Sequence, residues 1–210
     1  MKIESFHNNN KAYYFLTSLI IPRPIAFITT INSNKTVNAA PFSYFSPLSS
    51  DPILISVSIY NKANGEKKDT LKNIIDSGEF CINMVNELMS EDMTICGAGF
   101  PYGISELDYT NLHTVSCDKI QGVRIKEAPA SLEIKLKKII NDLGEDFSVV
   151  IGEVKVIHVN DDIIDTKTGN IDAKKSRIIG RLGGNQYLNI ENIFSIERKA
   201  CSEYIKRKNL

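Results

Sequence analysis

From Ile53 to Tyr60 the chain alternates: Ile53, Ile55, Val57 and Ile59 fall on one face and Ser56 and Ser58 on the other. A period of two sends successive side chains to opposite sides of an extended backbone, so this run predicts a half-buried strand. Residues 25–31 are β-branched and apolar without alternation, which also reads as a strand. Turn-forming residues at 32–35 follow, and residues 36–40 can return as its partner. The period changes over Asp69 to Ser77, where Leu71, Ile74 and Ile75 share a helical face, with Asp69 expected as N-cap and Gly78 as the stop. Phe80 to Val85 predicts a strand and Ser90 to Ala98 a short helix. Residues 99–118 have no period and predict an irregular loop, of a length often tied to function. Ala130 to Ile140 and Phe147 to Val159 predict two further strands, with a bulge at Gly152. A polar loop over 160–175 and a basic tail over 199–210, ending in a frayed helix, complete the chain. Strands dominate and no repeat or linker interrupts them. The pattern predicts one domain over 1–210, with its core at about 12–198, built mainly of β-structure as a barrel with a few helices.

Composition narrows the classes of function. Lys plus Arg and Asp plus Glu each number 25, so the chain has no net charge to draw it to nucleic acid or an anionic membrane. Its 42% hydrophobic residues suit a globular domain of 210 residues with a sizeable core. The opening segment, Met1 to His7, is polar, so no leader is expected. The longest apolar stretch, Leu19 to Ile31, is interrupted by Pro22, Arg23 and Pro24 and falls short of a membrane span. A soluble, cytoplasmic protein is expected. Cys81, Cys96, Cys117 and Cys201 are scattered, and with three His they offer no metal-ligand spacing. Four free thiols and no metal are expected, with Cys81 in the core.

Three segments carry more than packing requires. In the first, Pro22-Arg23-Pro24 fixes the backbone before the strand that ends in Thr29 and Thr30. A stiff lead into an ordinary strand is the plainer reading of this segment taken alone. The second is Asn38-Ala39-Ala40-Pro41-Phe42-Ser43-Tyr44-Phe45-Ser46. Its small residues allow close approach of a ligand, Asn38 and Ser43 can donate hydrogen bonds, and its aromatic residues can wall a planar ring. A loop with an aromatic cluster tucked into the core fits as well. The third is Lys67-Lys68-Asp69-Thr70 at the start of the predicted helix, with Asn73 one turn on. Free N–H groups, a Lys and a Thr hydroxyl there suit a phosphate; a solvated N-cap is the plainer reading. The glycine frameworks of a P-loop and of a dinucleotide fold are both absent.

Taken in order, Pro22 to Thr30, Asn38 to Phe45, Lys68-Asp69-Thr70 with Asn73, and Gly78-Glu79-Phe80 resemble the flavin reductase-like, FMN-binding split-barrel family, in its flavoredoxin-like subgroup. Gly103 to Leu107, Ala128 to Glu133, Ile151 to Val154 leading to His158, and Gly180 to Gly184 with Tyr187 continue the match, from about Tyr14 to Arg198. The resemblance implies a mainly-β Greek-key split barrel and a homodimer with FMN at the subunit interface. It places Thr29, Thr30 and Asn38, Ala39, Ala40, Pro41, Ser43, Tyr44 and Phe45 along the isoalloxazine and ribityl chain. Lys68 and Thr70 would hold the phosphate, with Asp69 capping the helix. Arg181 and Tyr187 are expected near the site, and His158 as a structural or interface residue. Two positions depart from the family pattern: Phe27 stands where many relatives carry tryptophan, and Ile134 where some carry cysteine.

Flavin chemistry demands little acid–base help from protein side chains, so no catalytic residue is expected. The implied activity is that of an NAD(P)H-dependent flavin reductase or oxidoreductase, with NADH or NADPH as donor. The alternative is a flavoredoxin-like electron-transfer protein that serves a redox partner and has no small-molecule substrate of its own.

Overall fold

The computed structural model describes residues 10–201. In chain order the elements are α1 (Asn10–Leu19), β1 (Ala26–Ile31), β2 (Val37–Phe42), β3 (Phe45–Ser50), β4 (Ile53–Tyr60), α2 (Asp69–Ser77), β5 (Glu79–Asn83) and α3 (Ser90–Ile95). They continue with β6 (Thr114–Ser116), β7 (Val123–Ile125), β8 (Ala130–Ile140), β9 (Phe147–Val159), α4 (Ala173–Ser176), β10 (Gly180–Arg181) and β11 (Tyr187–Leu188). Short 3-10 turns cover Glu87–Met89, Glu106–Tyr109 and Asp161–Ile163.

Seven strands form one antiparallel sheet in the order β2-β1-β5-β8-β9-β4-β3. Its two edge strands, β2 and β3, are consecutive in the chain and joined only by Ser43 and Tyr44. Three residue steps reach at most about 11 Å. Six inter-strand spacings in a flat sheet would hold those edges roughly 29 Å apart. The sheet therefore rolls into a barrel, as the residue pattern predicts, split between β2 and β3, as the family resemblance implies.

The continuous apolar run at 25–31 follows from this geometry. Ala26 and Ile28 join the core inside the rolled sheet with Ile55, Val57, Phe80 and Ile134. Ile25 and Phe27 belong to a second core outside it, with Val85, Met89, Met93 and Ile125. A strand buried on both faces has no polar side to show. Phe27, standing where many relatives carry tryptophan, is fully buried.

Several expectations are corrected. The expected return strand at 36–40 is β2, but it runs on to Phe42 and β3 starts at Phe45, so only Ser43 and Tyr44 of residues 38–46 are loop, because the rolled sheet needs edge strands on both sides of the split. The N-cap of α2 is Lys68, with extended backbone and no side-chain cap. Asp69 is the first helical residue and pairs with Lys62 at 2.9 Å and Lys72 at 3.7 Å. Ile75 is exposed; the buried face of α2 is Thr70, Leu71, Asn73 and Ile74. Gly78 does end the helix, in the left-handed region at φ 70°, with its N–H on the Ile74 carbonyl at 3.0 Å. Gly152 pairs with Ile55 and Leu136, and the extra residues of the two bulges are Lys155 in β9, opposite Glu133 and Ile134, and Lys137 in β8, just past the Leu136–Gly152 pair. A Cβ on Gly152 would stand 2.3 Å from Ile134 Cγ2, so close packing selects glycine there. Within 99–118 the chain forms a 3-10 turn and β6, and α4 begins inside the expected polar loop. Helix α1 has no counterpart in the sequence reading. The tail beyond residue 201 lies outside the described residues.

The β6–β7 hairpin lies against the outer side of β1 and β5, fastened by side chains of the sheet. Thr29 Oγ1 donates to the Val123 carbonyl at 2.5 Å, and Asn83 Oδ1 accepts the Ile125 N–H at 2.8 Å. The Glu133 carboxylate accepts the N–H groups of Asp118 and Lys119 at 2.6 and 2.7 Å, and His158 Nε2 lies 2.7 Å from its Oε1. His158 is thus a structural partner of Glu133. All four cysteines are unbridged, with Cys81 and Cys96 buried.

Candidate functional site

Two adjoining cavities of about 440 and 570 Å³ open beside β2 and share Pro41, Gly97 and Ala98 on their walls. The smaller is lined by Asn38, Ala40, Lys68, Asp69, Thr70 and Glu106 among others. Two of the sequence-derived segments, β2 and the start of α2, are therefore brought together here. The larger cavity runs from Pro41 and Ser43 past Arg23 to Arg181 and Tyr187. Tyr44 and Phe45 line a third hollow of about 470 Å³ with Ser43, Leu16 and Ile20.

Three expected residues take other positions. Thr29 faces the β6–β7 hairpin and lines none of these cavities. Ala39 is fully buried, and its backbone N–H donates to Glu106 Oε2 at 2.9 Å. Thr30 is buried beneath the site, inside a chain of polar side chains. Asn73 Nδ2 donates to Asn32 Oδ1 at 2.8 Å and to Thr30 Oγ1 at 2.9 Å. Asn38 Nδ2 donates to Thr30 Oγ1 at 3.2 Å and to Thr70 Oγ1 at 2.9 Å. Both amide hydrogens of Asn73 are spent within the protein, so Asn73 orients its neighbours and offers no donor to a ligand. Thr70 Oγ1 accepts from Asn38, which leaves its own proton to donate into the cavity.

The first-turn N–H groups of α2 have no partner within the helix, and no side chain caps them. Together with the helix dipole they make this end of the smaller cavity a cradle for an anion. Lys68 has no carboxylate partner among the described residues; its Nζ lies 5.6 Å from the centre of the Phe42 ring. Asp69 is neutralised by Lys62, which keeps its charge from opposing an anion.

Glu106 is the site residue that pattern alone does not single out, although it sits within the Gly103 to Leu107 motif. Burial pushes its carboxyl up, against the downward pull of the Ala39 N–H. The same burial, with the charges of Glu106 and Asp92, pushes the Cys96 thiol up to about 12. Cys96 is therefore a neutral wall residue and no nucleophile at neutral pH. Gly97 and Ala98 at the end of α3, and Tyr13 and Thr17 on α1, also line the site without a distinctive sequence signal. Arg181 and Tyr187 do stand at the site: a cation–π contact of 4.6 Å joins them on the wall of the larger cavity.

Among solved structures, the chain is similar to the 2-nitrobenzoate 2-nitroreductase NbaA of Pseudomonas fluorescens, at 32% identity and a TM-score of 0.85. That match covers 96% of this chain and 97% of the other. It is similar to nitrilotriacetate monooxygenase component B from Bacillus cereus at 31% identity and a TM-score of 0.84, over 93% and 100% of the two chains. A split-barrel domain protein from Shewanella frigidimarina shares the fold, with a TM-score of 0.81 at 21% identity over 95% and 100%. Residues 18–173 match the flavin reductase like domain, a span that takes in the barrel, the N-terminus of α2 and Glu106. The chain belongs to the flavin reductase-like family.

Proposed function

We propose that this protein is an FMN-dependent oxidoreductase of the flavin reductase type, active in the cytoplasm and drawing electrons from NADH or NADPH. The observation that carries the reading is the uncapped N-terminus of α2, where Lys68 and the Asn38-oriented Thr70 hydroxyl meet unpaired N–H groups on one cavity wall. A terminal phosphate matches that donor set in charge and in hydrogen-bond sense. Ala40 and Pro41 on β2 present a smooth wall with little side chain, suited to a flat ring lying beside the strand. When bound, FMN would supply the hydride and electron chemistry. The chain's own residues would fix the phosphate at Lys68 and Thr70 and hold the ring edge along Asn38, Ala40 and Pro41. Beside them, Glu106 Oε2 is engaged by the Ala39 N–H and Cys96 is a neutral thiol.

The adjoining cavity of about 570 Å³ favours an oxidoreductase with a small-molecule substrate over an electron-transfer protein, which needs no such space. A homodimer is supported by the exposed Leu16, Leu19, Ile20 and Ile21 at the end of α1, an apolar surface beside the Tyr44–Phe45 hollow. Sedimentation velocity tests that part; a monomer at micromolar concentration would refute it.

FMN titration followed by steady-state oxidation of NADH and NADPH tests the whole. The expected result is saturable FMN uptake and turnover with at least one nucleotide. Uptake without turnover would transfer the protein to the electron-transfer reading. A protein that takes up no FMN would overturn both.

A further inference from the structure

The larger cavity has an unusual charge arrangement. Arg23 and Arg181 exchange both backbone hydrogen bonds, at 2.9 and 2.8 Å, as an isolated antiparallel pair. Directly opposite residues in such a pair send their side chains to the same side, so two guanidinium groups are set beside one cavity. Like charges placed opposite one another repel. No Asp or Glu lines this cavity, and neither arginine has a carboxylate partner among the described residues.

The two arginines differ in what they have left to offer. Arg23 is 7% exposed, and its guanidinium is spent on the carbonyls of Thr17, Ile20 and Leu182 and on Ser43. It ties α1 to the loop after β10 while contributing a buried positive charge that no carboxylate offsets. Arg181 bonds only the Tyr187 hydroxyl and the Gly184 carbonyl, so most of its five donors remain for a ligand. Tyr13, Tyr14, Phe42 and Tyr187 supply flat apolar surface around the pair.

We infer that the cavity bounded by Arg23, Arg181 and Tyr187 is a subsite for a planar ring bearing an oxyanion, gripped by the Arg181 fork and balanced by the buried Arg23 charge. It rests on the flavin reading above only in making that anion a substrate or donor that meets the flavin across Pro41. Two sources share this chemistry: an aromatic carboxylate, and the phosphate-bearing nicotinamide half of a dinucleotide.

Calorimetric titration of the FMN-loaded protein with benzoate, benzamide, nicotinamide mononucleotide and nicotinamide decides it. The expected result is that at least one anion binds about tenfold or more tightly than its neutral counterpart, the scale of one charge-assisted contact. Whichever anion binds more tightly identifies the source. Arg181→Gln should abolish the preference for the anion and Arg181→Lys retain part of it, both with FMN affinity unchanged. Arg181 is the test position because loss of Arg23 would also loosen α1. Equal binding of charged and neutral rings, no binding of any, or an anion preference that survives Arg181→Gln would overturn the inference. So would Arg181→Gln lowering FMN affinity, since the pair would then hold the flavin's own phosphate. If the protein takes up no FMN, the same titrations on the purified chain still decide the subsite, separately from the flavin reading.

Discussion

Asn38 and Thr70, 32 residues apart in the chain, are joined by a 2.9 Å hydrogen bond that links β2 to the first turn of α2. The bond sets the Thr70 hydroxyl as an acceptor toward Asn38 and a donor toward the cavity. If FMN phosphate sits at this helix end, Lys68→Ala and Thr70→Ala should each weaken FMN binding by about 1.5–3 kcal/mol, the usual worth of a charge-assisted hydrogen bond. Lys68→Ala should leave the unfolding midpoint nearly unchanged, because that side chain does not cap α2, whereas Thr70→Ala also strands the buried Asn38 amide hydrogen and should cost about 1–3 kcal/mol of folding stability. Fluorescence titration of FMN beside a urea melt measures both quantities; unchanged FMN affinity in the pair would move the phosphate elsewhere.

Asn73 sits deeper in the same network, with both amide hydrogens spent on Thr30 and Asn32. Asn73→Ala strands the buried Asn32 Oδ1 and takes from Thr30 Oγ1 one of its two donors, so a loss of about 1–3 kcal/mol in folding stability is expected. Asn73→Asp should cost more, since a carboxylate cannot donate to either oxygen. A stability equal to the parent protein in urea denaturation would show that water replaces the amide.

Much of this arrangement was legible in the residue pattern, and what was not has physical causes. The alternation over Ile53 to Tyr60 and the position of Gly78 translate directly, because one records which face is buried and the other a left-handed backbone. Asn73 and Thr70 were drawn toward a ligand in the sequence because they are polar near a helix start. Asn73 is tied to Thr30 and Asn32 on the β1 side, 40 or more residues away, and Thr70 to Asn38 on β2, 32 residues away. Thr29 likewise looks like a ligand residue at a strand end, but its partner is a carbonyl of a hairpin that no local signal announces. β3 was hidden by Pro47 and its serines: as an edge strand at the split it has little to bury, so it carries no alternating pattern. Arg23 and Arg181 are 158 positions apart, and only the fold makes them neighbours.

Gly152 offers a test of how tightly the barrel interior is packed. A Cβ there would meet Ile134 Cγ2 at 2.3 Å and Phe80 Cζ at 3.0 Å, both in fully or almost fully buried side chains with no room to retreat. Gly152→Ala should therefore destabilise the fold by about 1–3 kcal/mol, the cost of overpacking a core. Combined with Ile134→Ala, which vacates the Cγ2 position, it should cost less than the sum of the two single losses. Additive losses in the double variant would show that the strain lies in the backbone and not in this contact.

Glu133 sets the response to acid. Burial pushes its carboxyl up, but the Asp118 N–H, His158 and the Lys119 N–H together outweigh that and hold it below the ordinary carboxylate range. A carboxyl whose folded value is depressed stabilises the fold above its unfolded value, near pH 4.3. That contribution is lost as the pH falls through the folded value. Stability should thus decline below about pH 4.3 as Glu133 takes up a proton and releases the loop at Asp118 and Lys119. Glu133→Gln should remove this part of the acid decline and also weaken the protein near neutrality by about 1–3 kcal/mol. The loss arises because one amide hydrogen pair then faces a backbone N–H that the carboxylate had accepted. Urea midpoints measured from pH 3 to 7 on both proteins distinguish the outcomes. Parallel curves would show that Glu133 takes no part in the acid response.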